Sequence, residues 1–267
     1  MSQQHTTNQP STIQPNDTAK RRVALVTGGS RGIGAATALT LAQQGYDVAL
    51  TYRNKVARAQ QVVESITQQG QRGLALPCDM THSAEIVQCF QALRQWTGHL
   101  DALILNASGG MERALVAADP DYAMHINRDS QLAFVEAALP LLASGATITF
   151  VTSHWAHLYG RMQQLPAYEP VAASKYAGEQ ALRARQKEFA ARGLRLLIVT
   201  GDLVEGTITP KLLERTAPGL IEQRRTTQGA LPTATEMGQQ IALATINPAL
   251  TSGSLIVVGA PLESMLD

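Results

Sequence analysis

Cysteine is scarce in this chain of 267 residues, which contains only Cys78 and Cys89. Neither residue lies in a Cys-x-x-Cys motif or in a Cys/His cluster. The sequence therefore predicts neither a disulfide framework nor a zinc site, and we expect no metal. Because few cysteines without a pairing pattern are typical of a reducing compartment, we expect a cytoplasmic location.

An excess of charge of one sign is also missing. The chain carries 22 Lys and Arg against 21 Asp and Glu, a formal net charge of +1, and its basic residues form no block. Proteins that bind nucleic acid or anionic membranes through counterion release or surface potential need such a block. The composition therefore argues against a nucleic-acid or membrane partner, although it does not identify a ligand.

The first twenty residues, Met1 to Lys20, are rich in Gln, Thr, Asn and Pro and have no apolar core. A signal peptide and a membrane anchor both require such a core, so we expect neither here. The composition predicts a disordered tail over residues 1–20. No linker interrupts the rest of the chain, so residues 21–267 are predicted to form one domain.

From Arg21 onward, short apolar runs alternate with longer amphipathic stretches, which is typical of strands and helices wound into a parallel sheet. The expected strands are Val23–Thr27, Asp47–Tyr52, Gly73–Leu76, Ala102–Leu105, Thr147–Thr152, Leu194–Val199 and Leu255–Val258. The expected helices are 33–44, 57–69, 84–95, about 121–143 and about 170–191, with a short helix near 211–215. We predict an α/β fold: one Rossmann-like, doubly wound domain with about seven parallel strands and helices on both faces.

A glycine cluster stands where the first strand turns into the first helix. Glycine lets the backbone turn sharply and approach a pyrophosphate, which then meets the free N–H groups of the helix N-terminus. Gly34 is expected to allow close packing of that helix. The predicted cofactor-binding residues of this loop are Gly28, Ser30, Arg31, Gly32, Ile33 and Gly34.

The glycine cluster reads TGxxxGxG, and with the motifs that follow it the chain resembles the short-chain dehydrogenase/reductase family over roughly residues 21–259. The resemblance implies that Asp79 binds adenine and that Asn106 opens the family's NNAG motif, here with two departures. It also implies that Asn127 holds a helix bend and a proton-relay water. Ser153 stands at the place of the catalytic serine, and Lys175 at the place of the lysine that binds the nicotinamide ribose.

The end of the second strand bears on the choice of cofactor. An NAD enzyme typically offers a carboxylate to the ribose hydroxyls there, but this chain has Thr51-Tyr52-Arg53. Arg53 and Arg31 could instead pair with a 2′-phosphate through charge-assisted hydrogen bonds. The cofactor is therefore predicted to be NADPH/NADP+; the alternative is that both arginines are solvated surface residues.

The sequence departs from the family at its central acid. In the family, a tyrosine four positions before the lysine donates the proton, and the lysine lowers its pKa; here that position is Val171. The first candidate replacement is Tyr168, seven positions before Lys175 and just ahead of a helix that Pro170 favours starting. This Y-x6-K spacing resembles divergent members that reduce enoyl thioesters, in which a second aromatic position is similar to Tyr159.

Two other solutions remain open. Some atypical ketoreductases of polyketide tailoring also lack the tyrosine, and there a substrate hydroxyl or water quenches the alkoxide while Ser153 and Asn106 orient the carbonyl. Alternatively, His154 or His157 could serve as the acid, because imidazole titrates near pH ~6.5. Both histidines could equally be loop residues without a catalytic role.

The resemblance implies an NADPH-dependent reductase of a small-molecule substrate. We expect it to transfer hydride to the carbonyl of a small organic or polyketide-like compound, under a covering segment at about 201–232. An enoyl thioester reductase and a non-catalytic NADP-binding sensor are the alternatives. A face of small residues could pack across a two-fold axis in a homodimer or homotetramer, or be buried within the monomer; it consists of Ala173, Ala177, Gly178 and Ala181.

Overall fold

A computed structural model describes residues 21–266, and their centre is a seven-stranded parallel sheet in the order β3-β2-β1-β4-β5-β6-β7. The order reverses between β1 and β4, so loops from both halves meet there at the carboxyl ends of the strands. The strands are β1 (Arg22–Val26), β2 (Tyr46–Tyr52), β3 (Gly73–Pro77), β4 (Leu100–Leu105), β5 (Leu142–Ser153), β6 (Arg195–Gly201) and β7 (Leu255–Val258).

The helices cover both faces of this sheet, as expected for a doubly wound fold. They are α1 (Gly32–Gln43), α2 (Val56–Gln68), α3 (Ser83–Trp96), α4 (Arg113–Ala118), α5 (Tyr122–Met124), α6 (Ser130–Ala138), α7 (His154–His157), α8 (Glu169–Ala184), α9 (Gln186–Ala191), α10 (Ile208–Thr216), α11 (Leu220–Gln228) and α12 (Ala234–Ile246). A π-helical turn, His125–Asp129, joins α5 to α6, and a 3-10 turn spans Leu262–Met265.

Burial explains why the strands form. Side chains of β1, β2 and β4 are buried on both faces, because one apolar cluster lies under α1, α2 and α12 and another under α3, α6, α8 and α9. A third cluster covers the carboxyl edge of the sheet and includes Trp155, Tyr168, Val171 and Leu220. The predicted α/β architecture and its seven parallel strands are confirmed, with strand ends shifted by a few residues.

Two helical expectations need correction, and one long helix was not expected. The helix predicted over about 121–143 ends at Ala138, and Leu142 already begins β5. The helix predicted over about 170–191 is interrupted at Arg185, where α8 ends and α9 begins. The long helix α12 was not predicted, although Thr233 and Glu236 form a capping box at its start.

The predicted tail, residues 1–20, lies outside the described part of the chain. The division of the sequence into that tail and one domain therefore stays a prediction. Between residues 21 and 266, no helix combines the length and apolar character needed to cross a membrane.

Candidate active site

The glycine loop between β1 and α1 is shaped by backbone contacts that a side chain would prevent. Gly28 and Gly32 have φ values of +65° and +54°, in the region that favours glycine. A Cβ on Gly34 would collide with the Gly28 carbonyl and lie 2.6 Å from the Asn106 amide nitrogen. The expected close packing at Gly34 is therefore against the loop itself.

Asn106 holds this loop in place. Its side-chain amide donates to the Thr27 carbonyl at 2.9 Å, and its backbone N–H donates to the Thr27 hydroxyl at 2.9 Å. The amide is thus engaged by the end of β1 and the glycine loop, and its predicted contact with a substrate carbonyl stays a prediction. The N-cap of α1, Arg31, makes no side-chain capping bond, so the first N–H groups of the helix remain available to an anion.

A cleft of about 760 Å³ runs along the carboxyl edge of the sheet from the glycine loop to α10. It brings together nearly all of the residues predicted from the sequence. Those lining it are Gly28, Ser30, Arg31, Gly32, Ile33, Gly34, Arg53, Asp79, Asn106, Ser153, Tyr168 and Lys175. Asn127 does not line it.

The end of the cleft beside the glycine loop carries several cations. Arg31 and Arg58 line both the cleft and a shallow recess next to it, and neither side chain pairs with another described residue. Arg53 differs, because its guanidinium donates to the Tyr122 hydroxyl at 2.7 Å and lies 3.8 Å from Glu112. The contacts of Arg53 with Tyr122 and Glu112 were not predicted from the sequence. Arg58, which lies on α2, was not predicted as a site residue either.

Asp79 also lines the cleft. Its carboxylate accepts hydrogen bonds from the backbone N–H and the hydroxyl of Thr81, at 3.0 and 2.7 Å. These two bonds fix the carboxylate in the turn that follows β3. Its predicted contact with adenine stays a prediction.

At the other end of the cleft, the Tyr168 hydroxyl donates to Ser153 Oγ at 3.1 Å. The same Ser153 oxygen accepts the N–H of Ala156 at 3.2 Å, at the start of α7. A hydroxyl has two acceptor sites and one hydrogen, so the hydrogen of Ser153 is left to bond a substrate oxygen. Tyr168 and Ser153 thus form a short path that ends in the cleft.

Burial controls the protonation of this path. Tyr168 is 6% exposed, and burial raises the pKa of its phenol, partly offset by the hydrogen bond to Ser153. In the family, the lysine lowers the pKa of a tyrosine one helical turn before it. Tyr168 stands elsewhere, and the loss of solvation outweighs the other influences on its pKa. At neutral pH, Tyr168 is therefore protonated and suited to donate.

Lys175 projects from α8 to the floor of the cleft. Its Nζ donates to the Val151 carbonyl at 3.4 Å, the one hydrogen bond that this ammonium makes within the described chain. Burial lowers the pKa of Lys175 to about 8. Since an ammonium has three donors, two of them remain for a bound polar group.

Val171 occupies the position of the missing family tyrosine. It is 4% exposed, packs in the apolar cluster with Tyr168 and Trp155, and its methyl group would be 3.0 Å from a Cβ on Gly110. Thr152, next to Ser153, lines the same end of the cleft, and its buried hydroxyl makes no hydrogen bond to any described residue. The sequence analysis missed Thr152, although its place at the end of β5 was a usable signal.

Asn127 lies in the π-helical turn and does not line the cleft. Its side-chain amide donates to the Gly109 carbonyl at 2.9 Å and to Ser174 Oγ at 3.0 Å. Its backbone carbonyl lies so close to Gly178 that a Cβ there would collide with it. Asn127 therefore ties the loop after β4 to α8, and its participation in a proton relay stays a prediction.

The two histidines after Ser153 are engaged elsewhere. His154 is fully buried, with Nδ1 3.0 Å from the Thr200 hydroxyl and Nε2 3.1 Å from the Ala260 carbonyl. Because a carbonyl only accepts, Nε2 carries the hydrogen, and burial lowers the pKa of His154 to about 4. It is thus a neutral structural residue, which corrects its candidacy as the acid.

His157 points away from the cleft, toward α8. Its Nδ1 lies 2.9 Å from the buried carboxylate of Glu179, which also accepts from Arg183 at 2.8 Å. His157 is therefore no more suited than His154 to protonate a substrate. Among the described residues, no group of three or more His, Cys, Asp or Glu side chains could hold a metal ion.

Comparisons with known proteins agree with this geometry. The family model for short chain dehydrogenases matches residues 22–216. The chain is 30% identical over 201 residues to 1-cyclohexenylcarbonyl-CoA reductase of Streptomyces collinus, covering 74% of this chain and 69% of the relative. It is 33% identical over 161 residues to the hydroxynaphthalene reductase-like protein Arp2 of Metarhizium anisopliae, which is 59% of each protein.

A solved structure shows the same architecture over almost the whole chain. A short chain dehydrogenase from Burkholderia cenocepacia J2315, crystallised in complex with NADP, has 27% sequence identity and a TM-score of 0.78. The match covers 91% of this chain and 98% of that one. Together, the family match, the relatives and the shared sheet show that this chain belongs to the short-chain dehydrogenase family of oxidoreductases.

Proposed function

We propose that the protein is an NADPH-dependent reductase that transfers hydride to a carbonyl group and uses Tyr168 as its proton donor. The observation that carries this proposal is the 3.1 Å hydrogen bond from the Tyr168 hydroxyl to Ser153 Oγ. It supports the role of acid for a tyrosine that lines the cleft, although the family position of that acid is Val171.

The described residues fit a dinucleotide. The glycine loop turns through positive φ values at Gly28 and Gly32 and lines the cleft, so a pyrophosphate could approach its backbone at the N-terminus of α1. At the opposite end, the Thr152 hydroxyl is unpartnered and Lys175 keeps two unused donors, as expected where a ribose and a carboxamide bind. When bound, the dinucleotide would supply the hydride.

The choice of NADPH over NADH rests on charge. Arg31 and Arg58 flank one recess beside the glycine loop and have no carboxylate partner among the described residues. They could therefore bind a 2′-phosphate at little cost. Arg53 is a weaker candidate than its sequence position indicated, because Glu112 already offsets part of its charge. The relative from Burkholderia cenocepacia, crystallised with NADP, supports the same choice.

In the proposed reaction, Ser153 donates its free hydrogen to the substrate oxygen and so orients the carbonyl. Negative charge develops on that oxygen as hydride arrives, and Ser153 stabilises it. Tyr168, kept protonated by its raised pKa, supplies the proton along the path through Ser153. Lys175 holds the ribose. This assignment favours reduction, because oxidation would require Tyr168 to act as a base.

A second candidate reaction is reduction of a C=C conjugated to a thioester carbonyl. The relative from Streptomyces collinus is named as the reductase of such a compound, and Tyr168 precedes Lys175 by the spacing seen in enoyl thioester reductases. We favour carbonyl reduction because the hydroxyl hydrogen of Ser153 can bond the oxygen that is reduced, whereas enoyl reduction gives that hydrogen bond a smaller role. The hydroxynaphthalene reductase-like relative is consistent with a cyclic, polyketide-like substrate.

We also propose a homodimer or homotetramer within a single-domain protein. Gly178 packs inside the monomer against Asn127, so it is removed from the predicted contact face. Ala173, Ala177 and Ala181 remain partly exposed on α8 and could contact a second copy.

The test of the proposed function is a substrate panel with NADPH or NADH. It contains a naphthoquinone, an aliphatic ketone and an enoyl thioester, with cofactor oxidation followed by absorbance and products identified by mass spectrometry. An alcohol or quinol product from the carbonyl compounds supports the proposal. A saturated thioester as the main product would establish the second candidate, and tight NADPH binding without turnover would favour a nucleotide sensor.

A further inference from the structure

Tyr168 occupies a position that secondary structure alone does not fix. It is the N-cap residue of α8, so it lies just before the first helical residue, Glu169. A tyrosine at position 171 would lie within the first turn of α8, whereas Tyr168 precedes the helix and needs support from side chains. The structure shows where that support comes from.

The first supporting contact of Tyr168 is with an aromatic ring. The ring of Trp155, on α7, meets the Tyr168 ring in an edge-to-face arrangement, with centroids 6.2 Å apart and planes inclined at 69°. Both rings are nearly inaccessible to solvent. Because Tyr168 bonds Ser153 at its hydroxyl and contacts Trp155 along its ring, these two contacts set the direction of the phenol.

The Trp155 ring is covered in turn by a guanidinium from the segment over the cleft. Arg224, on α11, places Cζ 5.2 Å from the centroid of Trp155. Its Nη2 lies 2.5 Å from Asp202 Oδ2, and the other carboxylate oxygen of Asp202 accepts the N–H of Leu203 at 2.7 Å. Arg224 Nε is buried and bonds no described residue. The guanidinium is thus held by one ion pair and one ring face.

Arg224 can influence the reaction only through its neighbours. Trp155, Asp202 and Tyr168 line the cleft, whereas Arg224 lies behind the first two. The side chain of Asp202 is 1% exposed and that of Arg224 is 13% exposed, so this charge pair is shielded from water. An ion pair that is withdrawn from solvent and stacked on an aromatic ring has little freedom to move.

We infer that Arg224 is a positioning residue for the proton donor: held by Asp202, it fixes Trp155, and Trp155 holds the Tyr168 phenol against Ser153. This inference rests on the proposed role of Tyr168. It also links the covering segment to the chemistry, because Arg224 and Leu220 both come from α11, and Leu220 packs in the same apolar cluster as Tyr168.

The test compares Arg224→Met in the wild-type protein and in a Tyr168→Phe background. Substrate is the carbonyl compound of the panel that the wild type reduces fastest. If Arg224 acts through Tyr168, Arg224→Met lowers kcat about tenfold in the wild type but less than about twofold when Tyr168 is already replaced. KM and the NADPH dissociation constant should change less than about threefold, because Arg224 does not line the cleft.

Two further variants separate positioning from folding. Arg224→Lys keeps the ion pair but lacks the planar group over Trp155, so its kcat is expected between those of Arg224→Met and the wild type. Arg225→Met is the matched control, since Arg225 is exposed on the same helix and pairs with Glu205 and Glu222. It is expected to retain wild-type kcat.

A measurement without substrate or cofactor tests the contact itself. In a Trp96→Phe background, fluorescence reports Trp155 alone, since these are the two tryptophans of the chain. Arg224→Met should increase quenching of that fluorescence by acrylamide, whereas Arg225→Met should not. Unchanged quenching, or an equal loss of kcat with and without Tyr168, would overturn the inference. Full activity of Tyr168→Phe alone would instead overturn the proposed donor.

Discussion

The Tyr168 hydroxyl lies 3.1 Å from Ser153 Oγ. Tyr168 makes this contact although it stands seven positions before Lys175, and not four as in the family. The hydrogen bond shows that a tyrosine placed just before a helix can reach Ser153 at the end of β5. The cleft therefore retains an acid, a hydroxyl and an ammonium despite the valine at position 171.

Replacement of Tyr168 by phenylalanine tests the acid directly. Tyr168→Phe keeps the ring against Trp155 but removes the proton, so we expect turnover to fall by at least about tenfold, equal to ~1.4 kcal/mol in the barrier. Initial rates of NADPH consumption measure the effect, with Tyr176→Phe as the control because Tyr176 contacts the ring of Tyr159 and does not line the cleft. A loss smaller than tenfold would contradict the assignment.

Lys175 should make stability depend on pH. Burial lowers its pKa from 10.5 to about 8, so between these values the unfolded chain binds a proton that the folded chain does not. The contribution of Lys175 to the free energy of unfolding therefore rises as pH increases from about 8 toward 10. Relative to Lys175→Met, the cofactor-free wild type should gain roughly 2 kcal/mol between pH 7 and pH 9.5.

Urea denaturation across this pH range measures that gain, with Lys187→Met as the control because Lys187 is exposed. The Lys187 variant should track the wild type at every pH. A difference between wild type and Lys175→Met that stays constant with pH would show that the Lys175 pKa is not lowered.

The cofactor preference should depend on Arg31 and Arg58 more than on Arg53. Each of Arg31→Met and Arg58→Met is expected to lower the kcat/KM ratio of NADPH to NADH about tenfold, or ~1.4 kcal/mol, because each removes a charge-assisted bond to the 2′-phosphate. Arg53→Met should have a smaller effect, since Glu112 and Tyr122 already engage that guanidinium.

The control for these variants is Arg192→Met, which removes an exposed charge far from the cleft and should leave the ratio unchanged. Equal losses with NADPH and NADH would mean that the arginines bind no 2′-phosphate. A large change in the ratio confined to Arg53→Met would assign binding of the 2′-phosphate to Arg53, as the sequence indicated.

Gly34→Ala should impair both folding and cofactor binding. Its Cβ would press on the Gly28 carbonyl and on the Asn106 amide, and overpacking of this kind costs roughly 1–3 kcal/mol. Gly98→Ala is the matched control, because a Cβ at Gly98 meets no atom within 4 Å. Thermal unfolding and NADPH titration measure both effects; equal stability of the two variants would contradict the close approach seen at Gly34.

The sheet could be predicted from the sequence because its strands are buried on both faces and read as short apolar runs. Val23, Leu25 and Ile104, for example, have no exposed surface at all. Helix boundaries were less accessible. Pro140 is a readable stop for the helix predicted over about 121–143, because proline cannot continue a helix, and that signal was not used. The start of β5 at Leu142 has no such local sign, since its pairing with Leu100 is a contact between distant parts of the chain.

In the active site, sequence reasoning found residues that follow strand ends and missed those that depend on packing. The pairing of Arg53 with Tyr122 and Glu112 joins segments far apart in sequence, so no spacing predicts it. The neutral state of His154 follows from burial against Thr200 and Ala260. By contrast, Thr233 and Glu236 are a readable helix start that the analysis overlooked.

Glu179 lies one helical turn beyond Lys175 on α8 and has no exposed surface. It accepts from His157 on the neighbouring helix and from Arg183 on its own. Because the hydrogen bond from His157 joins α7 to α8, this carboxylate restricts rotation of α8 about its axis. The direction in which the Lys175 ammonium enters the cleft is therefore set in part by a buried carboxylate that does not itself line the cleft.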